Sequence, residues 1–502
     1  MKKQHFDLCI IGGGINGAGI ARDAALRGLS VALIEARDLA SSTSSASSKL
    51  IHGGLRYLEY YEFKLVRAAL REREKLLGIA PHIIWPLQFI LPHDKTQRPA
   101  WMIRIGLFLY DNLAKRKKLP GSYGIKFKHH VSGKPLQKKY KRGFSYADCW
   151  VNDARLVALN ALDAKEHDAS IMTRTACTRI EHNKVNWRIH TRNLQTHQDS
   201  SFTADKVVNA AGPWVRGLMD TSDLSTENTP NIRLVKGSHI VVPQIFNGDH
   251  AYILQQPDHR IVFAIPYEGS YTLIGTTDVE IHEDPANVQI SEEEIEYLCN
   301  AANLSFEKQI SKSDIVWSYS GVRPLLDDGD ENASAVTRDY KLIHDTHDEL
   351  DLLSVFGGKI TTYRTLAKSA LDKLYKNNKS IDPCTTDIKP LPGGDIDNAD
   401  FDSYASVQSQ TYKWLPDALL YRYLRAYGSR IDILLGDAGS TKELGIHFGD
   451  DLYENEVNYL IEYEFAMSAE DILWRRSKLG LHISSDTKSK LEQFMAKQNL
   501  AA

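Results

Sequence analysis

Residues 6–35 read FDLCIIGGGINGAGIARDAALRGLSVALIE, and this stretch decides the fold. Phe6–Ile11 is a short β-rich apolar run. Gly12, Gly14 and Gly17 follow as G-x-G-x-x-G. The spacing predicts a helix from Ile15 to Arg27, stopped by Gly28, then a second strand over Val31–Ile34 ending in Glu35. Each part has a physical task. Gly12 permits a tight turn, Gly14 lets the backbone approach a pyrophosphate, and Gly17 lets helix and strand pack closely. The helix N-terminus offers free N–H groups and a positive dipole end. Glu35, 18 residues after the last glycine, can accept ribose hydroxyl hydrogen bonds. The glycines alone fit an ordinary turn. With strand, helix, second strand and acid in place, the unit predicts an adenine dinucleotide.

The chain has 502 residues, 42% hydrophobic and 25% charged, ordinary values for a folded protein of about three domains. Disorder, collagen-like repeats and a disulfide scaffold are excluded. Five scattered cysteines form no C-x-x-C pair, so no metal site is expected, and the thiols suit a reducing compartment. No apolar run is long enough to span a membrane. Lys2 and Lys3 precede an apolar stretch too short for a signal peptide and interrupted by Asp7.

Net charge is −3, but its distribution is uneven. From Asn112 to Ala147 there are eleven basic residues and no acid, among them Lys115, Arg116, Lys117 and Lys118. A local basic surface on an acidic chain points to an anionic partner. Trp101–Lys118 reads as a helix. Arg104, Asp111, Lys115 and Lys118 fall on one stripe, opposite Trp101, Met102, Ile105, Phe108, Leu109 and Leu113. That pattern suits an interfacial membrane helix, and equally a core-packing helix until the basic tail is added. No nucleic-acid module accompanies the charge, so no nucleic-acid partner is expected.

Ser41–Ser48, then Lys49, His52, Gly53 and Gly54, reads as a loop around phosphate or a flat ring, or as a flexible linker. Val207–Gly212 reads as a strand whose small-residue end lets a cofactor approach, or as a plain strand ending. Short alternating runs between 231 and 280 predict an antiparallel or mixed sheet. Pro390–Gly394 reads as a linker before a helical domain. Arg323, Arg338 and Lys359 sit where strands or turns should end, as cations suited to phosphate or carboxylate. His239 lies in an alternating strand. Tyr57 is by default a half-buried aromatic. Spacing alone does not assemble these residues into one site.

Several motifs together closely resemble the FAD-dependent glycerol-3-phosphate dehydrogenases, in their aerobic bacterial form. They are residues 12–19, 44–59, 209–214, 236–243, 274–278, 319–325 and 357–364. The resemblance runs from about residue 6 to the C-terminus, and is weaker over 380–450. It implies an α/β, glutathione-reductase-like FAD-binding domain (1–75, 150–215 and 350–390). A mixed-sheet substrate and membrane-facing domain (76–149 and 216–349) and a C-terminal helical domain (391–502) would complete the chain. It implies FAD at Gly12, Gly14, Gly17 and Glu35, with flavin contacts from Ser45, Ser48, Lys49, Leu50, His52, Gly53, Ala211, Gly212 and Lys359 to Thr361. Tyr57, His239, Arg323, Arg338 and Lys359 would surround the substrate.

The implied reaction is hydride transfer from C2 of sn-glycerol 3-phosphate to FAD, with electrons passing to quinone. His239 is the candidate base, or Arg323 polarises the hydroxyl with the base elsewhere. The implied setting is peripheral, on an anionic membrane at the cytoplasmic face of the inner membrane, as a homodimer. Trp101, Phe108 and Lys115–Lys118 would make the contact. An oxygen-using glycerol-3-phosphate oxidase, an amine or amino-acid oxidase, and a non-enzymatic flavin sensor remain open.

Overall fold

The computed structural model describes residues 4–226, 229–326, 340–376 and 381–501. His5–Ile11 runs parallel to Val31–Ile34 on one side and to Asp199–Asn209 on the other. Ser170–Met172 and Leu350–Phe356 extend this core in the same direction. Strands covered on both faces need continuous apolar runs rather than alternation. Val31–Ile34 is buried at every position, as are Leu8, Cys9, Ile10 and Ile11. Helices Ile15–Leu26, Asp153–Glu166 and Tyr363–Leu374 pack together against this sheet.

The first turn is the tightest point. A Cβ on Gly17 would meet the Gly12 carbonyl oxygen at 1.9 Å. Helix and strand can approach this closely only because residue 17 has no side chain.

Among the described residues a second sheet has ten strands, and Ile232–Pro243 lies near one edge of it. That strand pairs antiparallel with Tyr271–Gly275, Val279–Ile281 and Trp317–Leu326. Ile84–His93 runs parallel to His250–Gln255, which makes the sheet mixed. Two stretches fall in the other sheet from the one expected. Leu50–Ile51 pairs with Arg142–Val151 in the second sheet. Lys341–His347 pairs with Leu350–Phe356 in the first, because a tight hairpin joins the two.

Among the described residues, 401–501 are mainly helical with one two-stranded hairpin, His447–Gly449 with Leu452–Tyr453, and have their own core around Tyr423, Leu424, Val457, Leu460 and Ile472. The segment before them is laid down firmly. Arg22, buried in the first helix, pairs with Asp163 at 2.5 Å and donates to the carbonyls of Thr386, Lys389 and Pro390.

Gly17→Ala should lower stability by about 3 kcal/mol or more, since backbone rather than a flexible side chain occupies the space. Urea denaturation checks this. An unchanged midpoint would show that the helix can move off the strand at little cost.

Candidate active site

A cavity of about 780 Å³ runs between the two sheets. Gly12, Gly14, Asn16, Glu35, Ala211 and Gly212 line one part, and His239, Arg323, Lys359 and Tyr57 line another. Gly14 caps the first helix, so the helix N-terminus faces the cavity. The Ile15 N–H donates to Ser44 Oγ at 2.9 Å, which ties the serine-rich loop to the helix start. Glu35 sits at the end of its strand. Its carboxylate accepts from the Gly13 N–H at 2.7 Å and the Arg37 N–H at 2.8 Å. Burial raises the pKa of this carboxyl, and the two backbone donors oppose the rise.

These residues fit a dinucleotide on structural grounds. The cavity is large, glycine residues form part of its wall, and a helix N-terminus opens into it. Asn16 Oδ1 and His239 Nδ1, both at its wall, are buried with no hydrogen-bond partner among the described residues. Buried polar atoms are rarely left so unless a ligand or water completes them.

His239 stands on Ile232–Pro243, one strand in from the edge of the second sheet, opposite Gly275 on one side and Tyr319 on the other. A Cβ on Gly275 would lie 2.1 Å from the imidazole, so that glycine leaves the ring its space. The ring stacks on Tyr319, with centroids 4.9 Å apart, and its Nε2 lies 2.9 Å from Ser48 Oγ. Burial, with Lys49 and Arg323 nearby, drives its pKa well below the usual histidine value. The imidazole is therefore neutral at pH 7. Arg323 pairs with Asp278 and donates to Thr276 Oγ1 at 3.1 Å. Gly237 leaves room for its guanidinium, as a Cβ there would sit 2.4 Å from Nη2. Lys359 follows two glycines with positive φ, Gly357 and Gly358, and its Nζ lies 3.8 Å from the Tyr57 ring centroid. One buried neutral base and two cations thus share one cavity.

Ser48, Leu50, His52 and Thr361 also line the cavity. Thr361 Oγ1 accepts from the His52 N–H at 3.3 Å. Four residues expected at the cofactor, Gly17, Ser45, Lys49 and Gly53, do not line it. Lys49 is buried, pairing with both Asp153 oxygens at 2.9 Å and donating to the Ser45 carbonyl, so it pins the loop from behind. Ser45 faces a neighbouring crevice. The Gly53 N–H donates to Tyr110 Oη at 2.8 Å, inside the core. Gly17 acts through packing alone. Arg338 lies outside the described residues. Sequence reasoning missed Asn16 and Asp278. Asn16 falls on a variable position of the glycine pattern, and Asp278 ends the 274–278 motif with no spacing signal of its own. Among the described residues, no cluster of His, Cys, Asp or Glu could hold a metal ion.

The expected helix over 101–118 is shorter, Ala100–Asn112. The Asn112 amide donates to the Phe108 carbonyl at 2.7 Å, occupying a last-turn acceptor. Beyond it, continuing the helix would stack Lys115 and Lys118 on one face, and Pro120 follows shortly. Lys115–Lys118 therefore lie in a loop rather than on a helical stripe. Lys118 donates to the carbonyls of Asn398 and Ala399. Trp101 and Phe108 are 64% and 61% exposed, with Met102, Ile105 and Leu109 exposed beside them.

Comparison with known proteins agrees with this geometry. Residues 7–364 match the family model described as FAD dependent oxidoreductase, and 384–498 match the C-terminal domain of alpha-glycerophosphate oxidase. The aerobic glycerol-3-phosphate dehydrogenase of Escherichia coli (strain K12) is 51% identical, covering 97% of each chain. The D-erythritol 1-phosphate dehydrogenase of Brucella abortus (strain 2308) is 49% identical over 99% of each. The structure of glycerol-3-phosphate dehydrogenase from Bacillus halodurans complexed with FAD aligns with a TM-score of 0.80 at 28% identity, covering all of this chain and 92% of that one.

The state of His239 carries a pH signature. The unfolded chain takes up this proton near pH 6.5, and the folded chain only at lower pH. Acidification below about 6.5 therefore favours unfolding, by up to roughly 1.4 kcal/mol per pH unit. Urea denaturation at pH 7 and pH 5 should show a larger loss in the native sequence than in His239→Gln. Equal losses would mean the ring is charged or exposed.

Proposed function

The chain belongs to the FAD dependent oxidoreductase family, and from that premise we propose that it oxidises sn-glycerol 3-phosphate to dihydroxyacetone phosphate and passes the electrons to membrane quinone. The observation carrying this reading is the convergence of His239, Arg323 and Lys359 in the cavity that receives the dinucleotide. Gly12, Gly14, Asn16 and Glu35 would hold FAD, with Ser48, His52, Ala211 and Gly212 along the rest of its length. Bound FAD supplies the two-electron acceptor for the C2 hydride. The remaining tasks fall to this chain's own side chains.

A phosphate dianion needs a cationic anchor. Arg323 offers a fork of donors, held in place by Asp278, and Lys359 a point charge on a short turn. The C2 hydroxyl must lose a proton as its hydride leaves. His239 is neutral and buried, so it can accept that proton without first shedding one. The imidazolium so formed sits among other cations, which favours passing the proton onward. The same cluster suits a longer polyol phosphate, and similarity to the Brucella protein favours that second reading. Turnover with a dye acceptor separates them. Glycerol 3-phosphate should give the higher kcat/KM of the two, and erythritol 1-phosphate exceeding it tenfold would reverse the choice. Arg323→Met should lower kcat/KM roughly a hundredfold, as when one partner of a buried charged contact is removed. A loss below threefold would remove Arg323 from the site.

Docking on the cytoplasmic face of an anionic membrane completes the reading and brings the quinone within reach. Support comes from the exposed apolar face of Ala100–Asn112 and from Arg67, Arg71, Lys75, Lys115, Arg116 and Lys117, which line one surface hollow beside it. No helix among the described residues is long and apolar enough to cross a membrane, so the contact would be interfacial. Flotation of the native chain with vesicles containing phosphatidylglycerol should fall at high salt, and at low salt it should fall when Lys115, Arg116 and Lys117 become Glu. Undiminished flotation would contradict docking by this face.

A further inference from the structure

The turn that follows Glu35 forms one wall of the dinucleotide cavity, through Ala36, Arg37, Ala40 and Ser41–Ser44. Asp38 in the same turn is fully buried and does not line the cavity. Its carboxylate is gripped by the C-terminal helical region. Arg476 donates to it from Nη1 at 2.9 Å and Nη2 at 2.8 Å, and Arg475 from Nε at 2.6 Å. Both arginines lie in the π-helical turn Asp471–Arg476. Asp471 in that turn pairs with Arg475 and, at 2.6 Å, with Arg174, whose own N–H donates to the Arg37 carbonyl at 2.9 Å. The 471–476 segment thus grips Asp38 directly and braces Arg174, which holds the neighbouring Arg37.

The turn needs such a hold. Ala40 has φ of +59°, a left-handed conformation that a residue with a side chain keeps only when its surroundings impose it. Its N–H reaches back to the Gly13 carbonyl at 3.1 Å, in the glycine turn itself. A shift at Asp38 would therefore move the serine-rich wall and the glycine turn together. We propose that Arg475 and Arg476 are positioning residues for the cofactor: the C-terminal region keeps the Asp38 turn in place so that FAD stays bound. This assigns that region a task in cofactor retention that neither touches substrate nor concerns the membrane.

The test is the rate of FAD release from the full-length holoprotein, followed by the rise of flavin fluorescence on dilution. Arg475→Gln removes one guanidinium and keeps Arg476. Arg475→Lys keeps the charge. Arg430→Gln is the control, since Arg430 joins the C-terminal region to Glu166 at 2.7 Å without touching the turn. Release from Arg475→Gln should be at least tenfold faster, with Arg475→Lys closer to the native rate. Arg430→Gln should melt at lower temperature yet hold FAD as the native chain does. If Arg475→Gln yields no folded protein, Asp38→Asn, which fills the same space, is judged by the same criterion. A native release rate in the Arg475→Gln or Asp38→Asn protein, or equal acceleration by Arg430→Gln, would overturn the proposal.

Discussion

Gly12 and Gly17 touch, and the cofactor end of the molecule follows from that contact. The carbonyl of Gly12 lies where a side chain on Gly17 would begin, so the first helix starts directly over the end of the first strand. Its N-terminus then opens into the cavity, Glu35 stands at the end of the neighbouring strand, and the serine-rich loop can cap the first free N–H through Ser44. Widening this contact by one methyl group would displace the donors that make the cavity a dinucleotide site.

The second sheet supplies the chemistry by a different device. The strand Ile232–Pro243 has paired neighbours on both sides, so His239 is fixed by register as well as by packing. Glycines on facing strands make room for the imidazole and for Arg323. Burial alone would discharge a histidine, and adjacent cations strengthen the effect. The site therefore keeps a neutral base beside positive charge. That combination suits an anionic substrate whose alcohol must lose a proton.

Much of this was readable from the sequence where local chemistry dictates structure. Strand, glycine turn, helix and acid follow one another within 30 residues, and each demands particular residue types. The alternating strands between 231 and 280 were equally plain. Long-range contacts were not. Nothing local tells that Lys49 is consumed by Asp153, a hundred residues away, or that Arg323 shares Asp278. Sheet membership of Leu50–Ile51 and Lys341–His347 depends on distant or hairpin partners, which composition does not reveal. Amphipathic spacing continues past Asn112, but the helix after Pro99 ends there, ahead of the clustered lysines and Pro120. Motif resemblance brought His239, Arg323 and Lys359 together as a site, and spacing could not have done so.

In the proposed reaction, bound flavin and glycerol phosphate meet beside His239, Arg323 and Lys359. The most direct measurement is anaerobic. Holoprotein is mixed rapidly with sn-glycerol 3-phosphate while the visible flavin absorption is followed. Prompt bleaching is expected, with one dihydroxyacetone phosphate formed per flavin reduced. A protein that holds FAD yet keeps its oxidised spectrum at saturating glycerol phosphate would contradict it.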